Sequence, residues 1–213
     1  MIMNNINVVI VDYGVGNTHS VANAIASLNY KVKISQSHEA LQKADVLILP
    51  GVGAFETAMS NLKSASLHHI LNELVIEKEK PILGICLGMQ MMATYSEEKG
   101  YHDGLNWIPG AVVKLDQKDG ISVPHVGWNT IKPIISDPMF TKADEQSHFY
   151  FDHSYYFKPD LNHNTAATVH YGQEITAAIQ YKHICGVQFH PEKSQTNGLK
   201  LFRSFINDLL NYA

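Results

Sequence analysis

"PILGICLGMQ", residues 81–90, is an apolar run that halts on a cysteine between two glycines and turns at once into helix-forming residues. A buried strand that merely ended would not need that arrangement, whereas a strand that delivers a nucleophile would. Gly84-Ile85-Cys86-Leu87-Gly88 has the small-x-nucleophile-x-small spacing of a strand-to-helix elbow. A sharp turn strains the backbone at the nucleophile and leaves no room for side chains at the flanking positions, so glycine suits both. The following helix, read over residues 89–95, is expected to aim its amino end at the sulfur and favour thiolate over thiol. The N–H of Leu87 would then face a developing oxyanion. Taken alone, the motif fits an inert core cysteine as well as a nucleophile.

The surrounding chain alternates strand and helix patterns. "INVVIVDY" (6–13) and "ADVLILPG" (44–51) are apolar runs of the doubly buried kind, and "YKVKIS" (30–35) alternates like a half-exposed strand. Between them, Val21, Ile25 and Leu28 form a helical stripe, and Leu67, Ile70, Leu71, Leu74 and Val75 predict a single helix within residues 56–80. This order implies a parallel sheet with helices on both faces. After about residue 100 the pattern changes to shorter, more aromatic strands: "GAVVKL" (110–115), "NTIKPI" (129–134), "HFYFDHSYYF" (148–157), "TAATVHYG" (165–172) and "EITAAIQYKHICGVQFH" (174–190). That half reads as an antiparallel extension of the same sheet. Leu199, Phe202, Ile206, Leu209 and Leu210 predict a closing amphipathic helix. No repeat or linker interrupts the 213 residues, which are expected to form one domain.

Composition narrows the function. A formal net charge of -4 and the lack of any basic run argue against nucleic-acid or anionic-membrane binding. The start lacks the pattern of a secretory signal, and no apolar stretch is long enough to span a bilayer. Two cysteines exclude a disulfide framework and point to a reducing cytoplasm. The twelve histidines show no HExxH or Cys/His ligand spacing, so solvated or core-satisfied roles are expected, with no metal and no cofactor. Gly14-x-Gly16 lacks the third glycine of a dinucleotide fingerprint. Cys185, inside a strand pattern, reads as a small buried hydrophobe.

"GVQFHPEKS" (186–194) alters the reading of Cys86. A strand delivering His190 and, two residues on, Glu192 can set an imidazole beside the sulfur with a carboxylate behind it. His190 would take the thiol proton and return it to a leaving amine, while Glu192 fixes the tautomer and stabilises the imidazolium. Pro191 stiffens the turn between them.

With these residues in view, the chain resembles the class I (triad-type) glutamine amidotransferases, and among them the glutaminase subunits of imidazole glycerol phosphate synthases. The collinear stretches are "DYGVGN" (12–17), "LPGVGAF" (49–55), "GICLGMQ" (84–90), "PHVGWN" (124–129), "HFYFDHSYY" (148–156) and "GVQFHPEKS". The resemblance implies a flavodoxin-like, open, mostly parallel sheet, and hydrolysis of L-glutamine to glutamate and ammonia through a cysteine thioester. It implies Cys86 as nucleophile, His190 as base and acid, and Glu192 as its orienter. Val52 or Gly53 would complete the oxyanion site with Leu87, and Gly51, Gln90, Glu98, Ser154 and Tyr155 would hold glutamine. A carboxylate such as Glu98 is a sensible partner for the substrate ammonium.

The resemblance also implies a partner, a (β/α)8 cyclase subunit that receives the ammonia. Asn17, Trp128, Asn129, Tyr150 and Lys193 would then lie on the docking face, although Trp128 could equally be a core residue. Asp152 stands where the family usually has an apolar residue, and Val126 where methionine is common. An alternative acceptor is a homologous barrel synthase in surface-sugar biosynthesis.

Overall fold

The computed structural model describes residues 4–117, 121–134 and 147–209. The first half runs β1 (Asn4–Val11), α1 (Thr18–Ala26), β2 (Tyr30–Ser35), α2 (His38–Lys43), β3 (Val46–Gly51), α3 (Phe55–Ser64), α4 (Leu67–Asn72), β4 (Ile82–Cys86) and α5 (Leu87–Gln90). Then come β5 (Tyr95–Ser96), β6 (His102–Asp103), β7 (Gly110–Lys114), β8 (His125–Thr130), β9 (Lys132–Pro133), β10 (His148–His153) and β11 (Tyr155–Pro159). The chain continues through β12 (Thr165–His170), β13 (Glu174–Tyr181), β14 (Ile184–Val187) and α6 (Gln195–Leu209).

Eight strands form the central sheet in the order β2-β1-β3-β4-β14-β13-β12-β9. Pairing is parallel from β2 across to β14 and antiparallel from β14 onward. The expected parallel half with an antiparallel extension is therefore what forms. A four-stranded sheet, β11-β7-β5-β6, and a two-stranded one, β10-β8, flank it.

The continuous apolar runs have a direct cause. On β1, Val8 and Ile10 face one core while Val9 and Val11 face the other. The same division separates Val46 and Ile48 from Leu47 and Leu49 on β3. A sheet buried on both sides cannot carry polar residues at alternate positions. Val21 and Ile25 of α1 and Leu201, Phe202, Phe205 and Ile206 of α6 fill the first core. Residues of α2, α3 and α4, with Val112 and Phe157 of the four-stranded sheet, fill the second. Leu210 lies outside the described residues. Cys185 is buried within β14, as its sequence context suggests.

Two local expectations need correction, and one short helix had no counterpart among them. The helix expected within residues 56–80 is broken at Ala65–Ser66, where Ser66 takes φ +55°, and α4 runs on into a wider turn over Glu73–Glu77. The separate short helix α2 has a signal that propensity alone overlooked: the Ser37 hydroxyl caps it by accepting from Ala40 N–H. "HFYFDHSYYF" is two strands, because the chain leaves β10 at Ser154 and joins a different sheet as β11.

Leu47 and Ile48 adjoin in the chain yet belong to different cores. Leu47→Ala is expected to cost about 2–5 kcal/mol and Ile48→Val about 1 kcal/mol. Because they share no packing partners, urea unfolding of the double variant should return their sum within about 0.5 kcal/mol; a larger discrepancy would mean that the sheet transmits strain between its faces.

Candidate active site

Cys86 ends β4 with φ +53° and ψ −110°, and α5 begins at the next residue. A non-glycine residue there is strained and survives only where its surroundings fix it. They do so through close backbone contacts. A methyl group at Gly88 would lie 1.8 Å from the Leu49 carbonyl oxygen, and one at Gly84 would lie 2.7 Å from Met89 N. The two glycines thus let β3 and the first turn of α5 close on β4. Gly51 pairs directly with Cys86 across the β3–β4 ladder. Beneath it, the buried Tyr13 hydroxyl donates to the Pro50 carbonyl at 2.7 Å, and burial together with negative charge at Cys86 pushes the Tyr13 pKa up.

The helix after the cysteine is one turn long, shorter than the sequence suggested. The carbonyls of Met91, Met92 and Ala93, which a longer helix would use internally, instead accept from the N–H groups of Leu105, Trp107 and Asn106. So few aligned peptides make a weak dipole. The side chain set against the sulfur is instead His190, which hydrogen-bonds to Cys86.

His190 arrives on the loop after β14 and is 2% exposed. Its N–H donates to the Tyr150 carbonyl at 2.8 Å, which fixes the backbone, and its ring Nδ1 meets Glu192 Oε1 at 2.9 Å. Burial alone would lower the His190 pKa. Hydrogen bonding to Cys86 and Glu192 and the negative charge of both outweigh it, and the pKa rises to about 10. The Glu192 side chain is almost fully enclosed, and its Oε2 finds no hydrogen-bond donor among the described residues. Its charge is therefore compensated mainly by the imidazolium.

Gln188, which sequence reasoning passed over, is fully buried beside the sulfur. Its Nε2 donates to Cys86 Sγ at 3.6 Å, and its Oε1 accepts from Gln90 Nε2 at 3.0 Å. The only sequence signal was its place two residues before His190.

Cys86 opens into a cleft of about 420 Å³. Val52, Gly53, Leu87, Gln90, Glu98, Ser154, Tyr155 and His190 line it with Cys86, so most of the expected substrate and oxyanion residues meet there. Gly51 does not line it; it lies in the strand below, where a side chain would strike the Tyr13 hydroxyl. Glu98 lies in the turn between β5 and β6, and its Oε2 accepts from Phe55 N–H at 2.8 Å. Gln90 commits its amide hydrogens inside the protein, to Gln188 and to the Tyr155 carbonyl at 2.8 Å. Lys99, Pro124, Asp152, His153 and Lys193 also line the cleft.

At the rim, β8 and β10 turn alternate residues outward. Trp128 lies opposite Tyr150, and Val126 opposite Asp152. The two positions at which the sequence was expected to depart from the family pattern are thus cross-strand neighbours. Trp128 is 49% exposed, which removes the core-packing reading. Its ring meets Tyr150 edge-on, and Lys193 Nζ sits 5.2 Å over the Tyr150 ring. Asn129 falls on the opposite face of β8, where its Nδ2 donates to the His170 carbonyl at 3.1 Å. Asn17 precedes α1 and is only partly exposed.

Residues 9–209 match the family described as Glutamine amidotransferase class-I. The chain is 44% identical over 199 residues to "Imidazole glycerol phosphate synthase subunit HisH 2" of Pseudomonas aeruginosa, covering 93% of this chain and 98% of that protein. It is 43% identical to the protein of the same name in Methanococcus maripaludis, with the same coverage. Among solved structures, a putative GMP synthase subunit from Thermoplasma acidophilum superposes with a TM-score of 0.74 at 22% identity, over 98% of this chain and 96% of that one. PurLQS from Thermotoga maritima gives 0.73 at 18% identity, over 97% and 100%. These two likenesses speak for the fold alone. Together with the matched family and the curated relatives, the elbow, the histidine–carboxylate pair and the sheet that joins them mean that the chain belongs to the class I glutamine amidotransferases.

Proposed function

We propose that this chain is the glutaminase subunit of an imidazole glycerol phosphate synthase, acting as one domain in the cytoplasm and passing ammonia to a (β/α)8 cyclase subunit. The cleft that joins Cys86 to the buried His190–Glu192 pair carries the reading, and the identity to subunits of that name supports the choice of acceptor.

Glutamine enters with its side-chain amide at Cys86 and its ammonium towards Glu98. The thiolate attacks the amide carbon, and the carbonyl oxygen becomes an oxyanion facing the N–H of Leu87 and that of Val52 or Gly53. Imidazolium His190 gives its proton to the nitrogen as the C–N bond breaks, so ammonia leaves and a γ-glutamyl thioester remains. A water then adds to the thioester carbon while neutral His190 takes its proton. Expulsion of the thiolate restores the ion pair and frees the product, whose new carboxyl loses its proton to solvent as glutamate. Gln188 holds the sulfur between attacks through its amide N–H. Glu192 keeps the imidazole turned through both steps and stabilises it whenever it holds the proton. The face of Trp128, Tyr150 and Lys193 is the docking surface, and a barrel seated there would cover the rim of the cleft.

In the complex with the cyclase, Cys86→Ser should abolish glutamine-dependent synthesis while added ammonium salt still supports it. Normal glutamine consumption by that variant would remove the nucleophile assignment. Glu192→Gln should lower kcat for glutamine by about 10²–10⁴-fold. The His190 pKa is raised in the folded protein, so its protonated form is favoured up to about pH 10. Losing the carboxylate should bring that value down in an NMR titration of the Glu192→Gln ring. An unmoved His190 titration would show that Glu192 does not hold the charge.

A further inference from the structure

Two buried histidines beside the cleft take no part in the proposed chemistry. His125 is 3% exposed and His153 is 6% exposed, and they lie directly opposite each other on β8 and β10. The His125 ring is stacked against Tyr171 at 3.9 Å and Phe151 at 4.6 Å, which leaves only its edge for polar contacts. His125 Nδ1 meets His153 Nε2 at 3.1 Å, and His153 Nδ1 meets the Tyr155 carbonyl at 2.9 Å. Asn129 Nδ2 meets the remaining His125 nitrogen, Nε2, at 3.5 Å.

The proton positions follow from the ends of this chain. A carbonyl only accepts, so His153 Nδ1 carries the hydrogen and, in a neutral ring, its Nε2 accepts. His125 must then donate from Nδ1, which leaves its Nε2 as an acceptor for Asn129. The orientation of Asn129 is fixed independently, because its Nδ2 donates to the His170 carbonyl and its Oδ1 accepts from Thr130 N–H at 2.9 Å. Every link agrees, and all point from β8 towards the cleft. The chain ends on the Tyr155 carbonyl, which also accepts from Gln90.

A proton added to either ring would set N–H against N–H at a link. The surroundings oppose that. Burial lowers the His125 pKa to about 4. It lowers that of His153 to about 3, against the pull of the Tyr155 carbonyl and with the positive charges of His125 and His190 acting in the same direction as burial.

We propose that Asn129, His125 and His153 form a one-directional hydrogen-bond chain that positions the Ser154–Tyr155 segment for glutamine and ties it to the strand carrying Trp128. These are positioning residues; none touches the reacting atoms. The proposal rests on reading the cleft as a glutamine pocket. It assigns Asn129 a task on the inner face of β8, while Trp128 on the outer face is left for the partner.

The test has two arms on the full chain in complex with its cyclase subunit. With ¹⁵N-labelled histidine, NMR at neutral pH should find both rings uncharged and in the Nδ1–H tautomer; a charged ring or an Nε2–H tautomer at either position overturns the proposal. In steady-state kinetics with L-glutamine, His125→Leu should raise KM about tenfold, the effect of one lost hydrogen bond, with kcat reduced less than threefold. His125→Asn retains a donor near the position of Nδ1 and should recover most of the lost affinity. Unchanged KM in a folded His125→Leu, or equal defects in both variants, overturns it. Absence of glutamine turnover in the unsubstituted complex would instead overturn the underlying function, and the tautomer measurement would stand apart from it.

Discussion

Parallel pairing of β4 with β14 is the constraint on which the site depends. Ile82 lies opposite Ile184 and Ile85 opposite Val187, so both strands run out at the same edge of the sheet. That register brings Gln188 to the sulfur of Cys86 across 102 positions of chain. A slip of one residue would turn the apolar side chains of β14 to the wrong face and carry His190 away with them. The elbow glycines matter for a related reason: they let β3, β4 and α5 approach until backbone meets backbone. The cysteine is thus held in an unfavourable conformation by packing that cannot relax around it.

Histidines 153 and 190 show how surroundings divide one side-chain type between opposite states. Both are buried, and burial pushes both towards the neutral ring. His190 has Glu192 on one nitrogen and hydrogen-bonds to Cys86, and the combined attraction of the two reverses the trend. Among the described residues His153 meets a carbonyl and another imidazole, and burial holds it neutral. Each arrangement reinforces the other, since a charge on His190 makes a second charge on His153 more costly.

Much of this was legible in the chain itself. The apolar runs of β1, β3 and β4 carry the parallel sheet in their lack of alternation, and the Gly-x-Cys-x-Gly spacing carries the elbow. What was not legible depends on contacts between distant segments. The extent of α5 is limited by carbonyls captured by residues 105–107, which no local propensity records. Gly51 has a substrate-site motif around it, yet its place is set by the Tyr13 hydroxyl beneath. Gln188 and the His125–His153 pair become meaningful only through the strand registers that bring them to their partners. Trp128 could not be assigned to core or surface until the alternation on β8 was anchored by its pairing with β10.

The antiparallel hairpin-like pair β8–β10 supplies the rim of the cleft, whereas the proposed nucleophile and base hang from the parallel strands β4 and β14. This split places the sulfur and the imidazole on one set of strands and the exposed Trp128 on another. Val126 and Asp152 face each other across that ribbon, and neither belongs to the strands that carry the sulfur and the imidazole. A chain built this way can vary the outward side chains of one small ribbon while the strands that carry the sulfur and the imidazole keep their register.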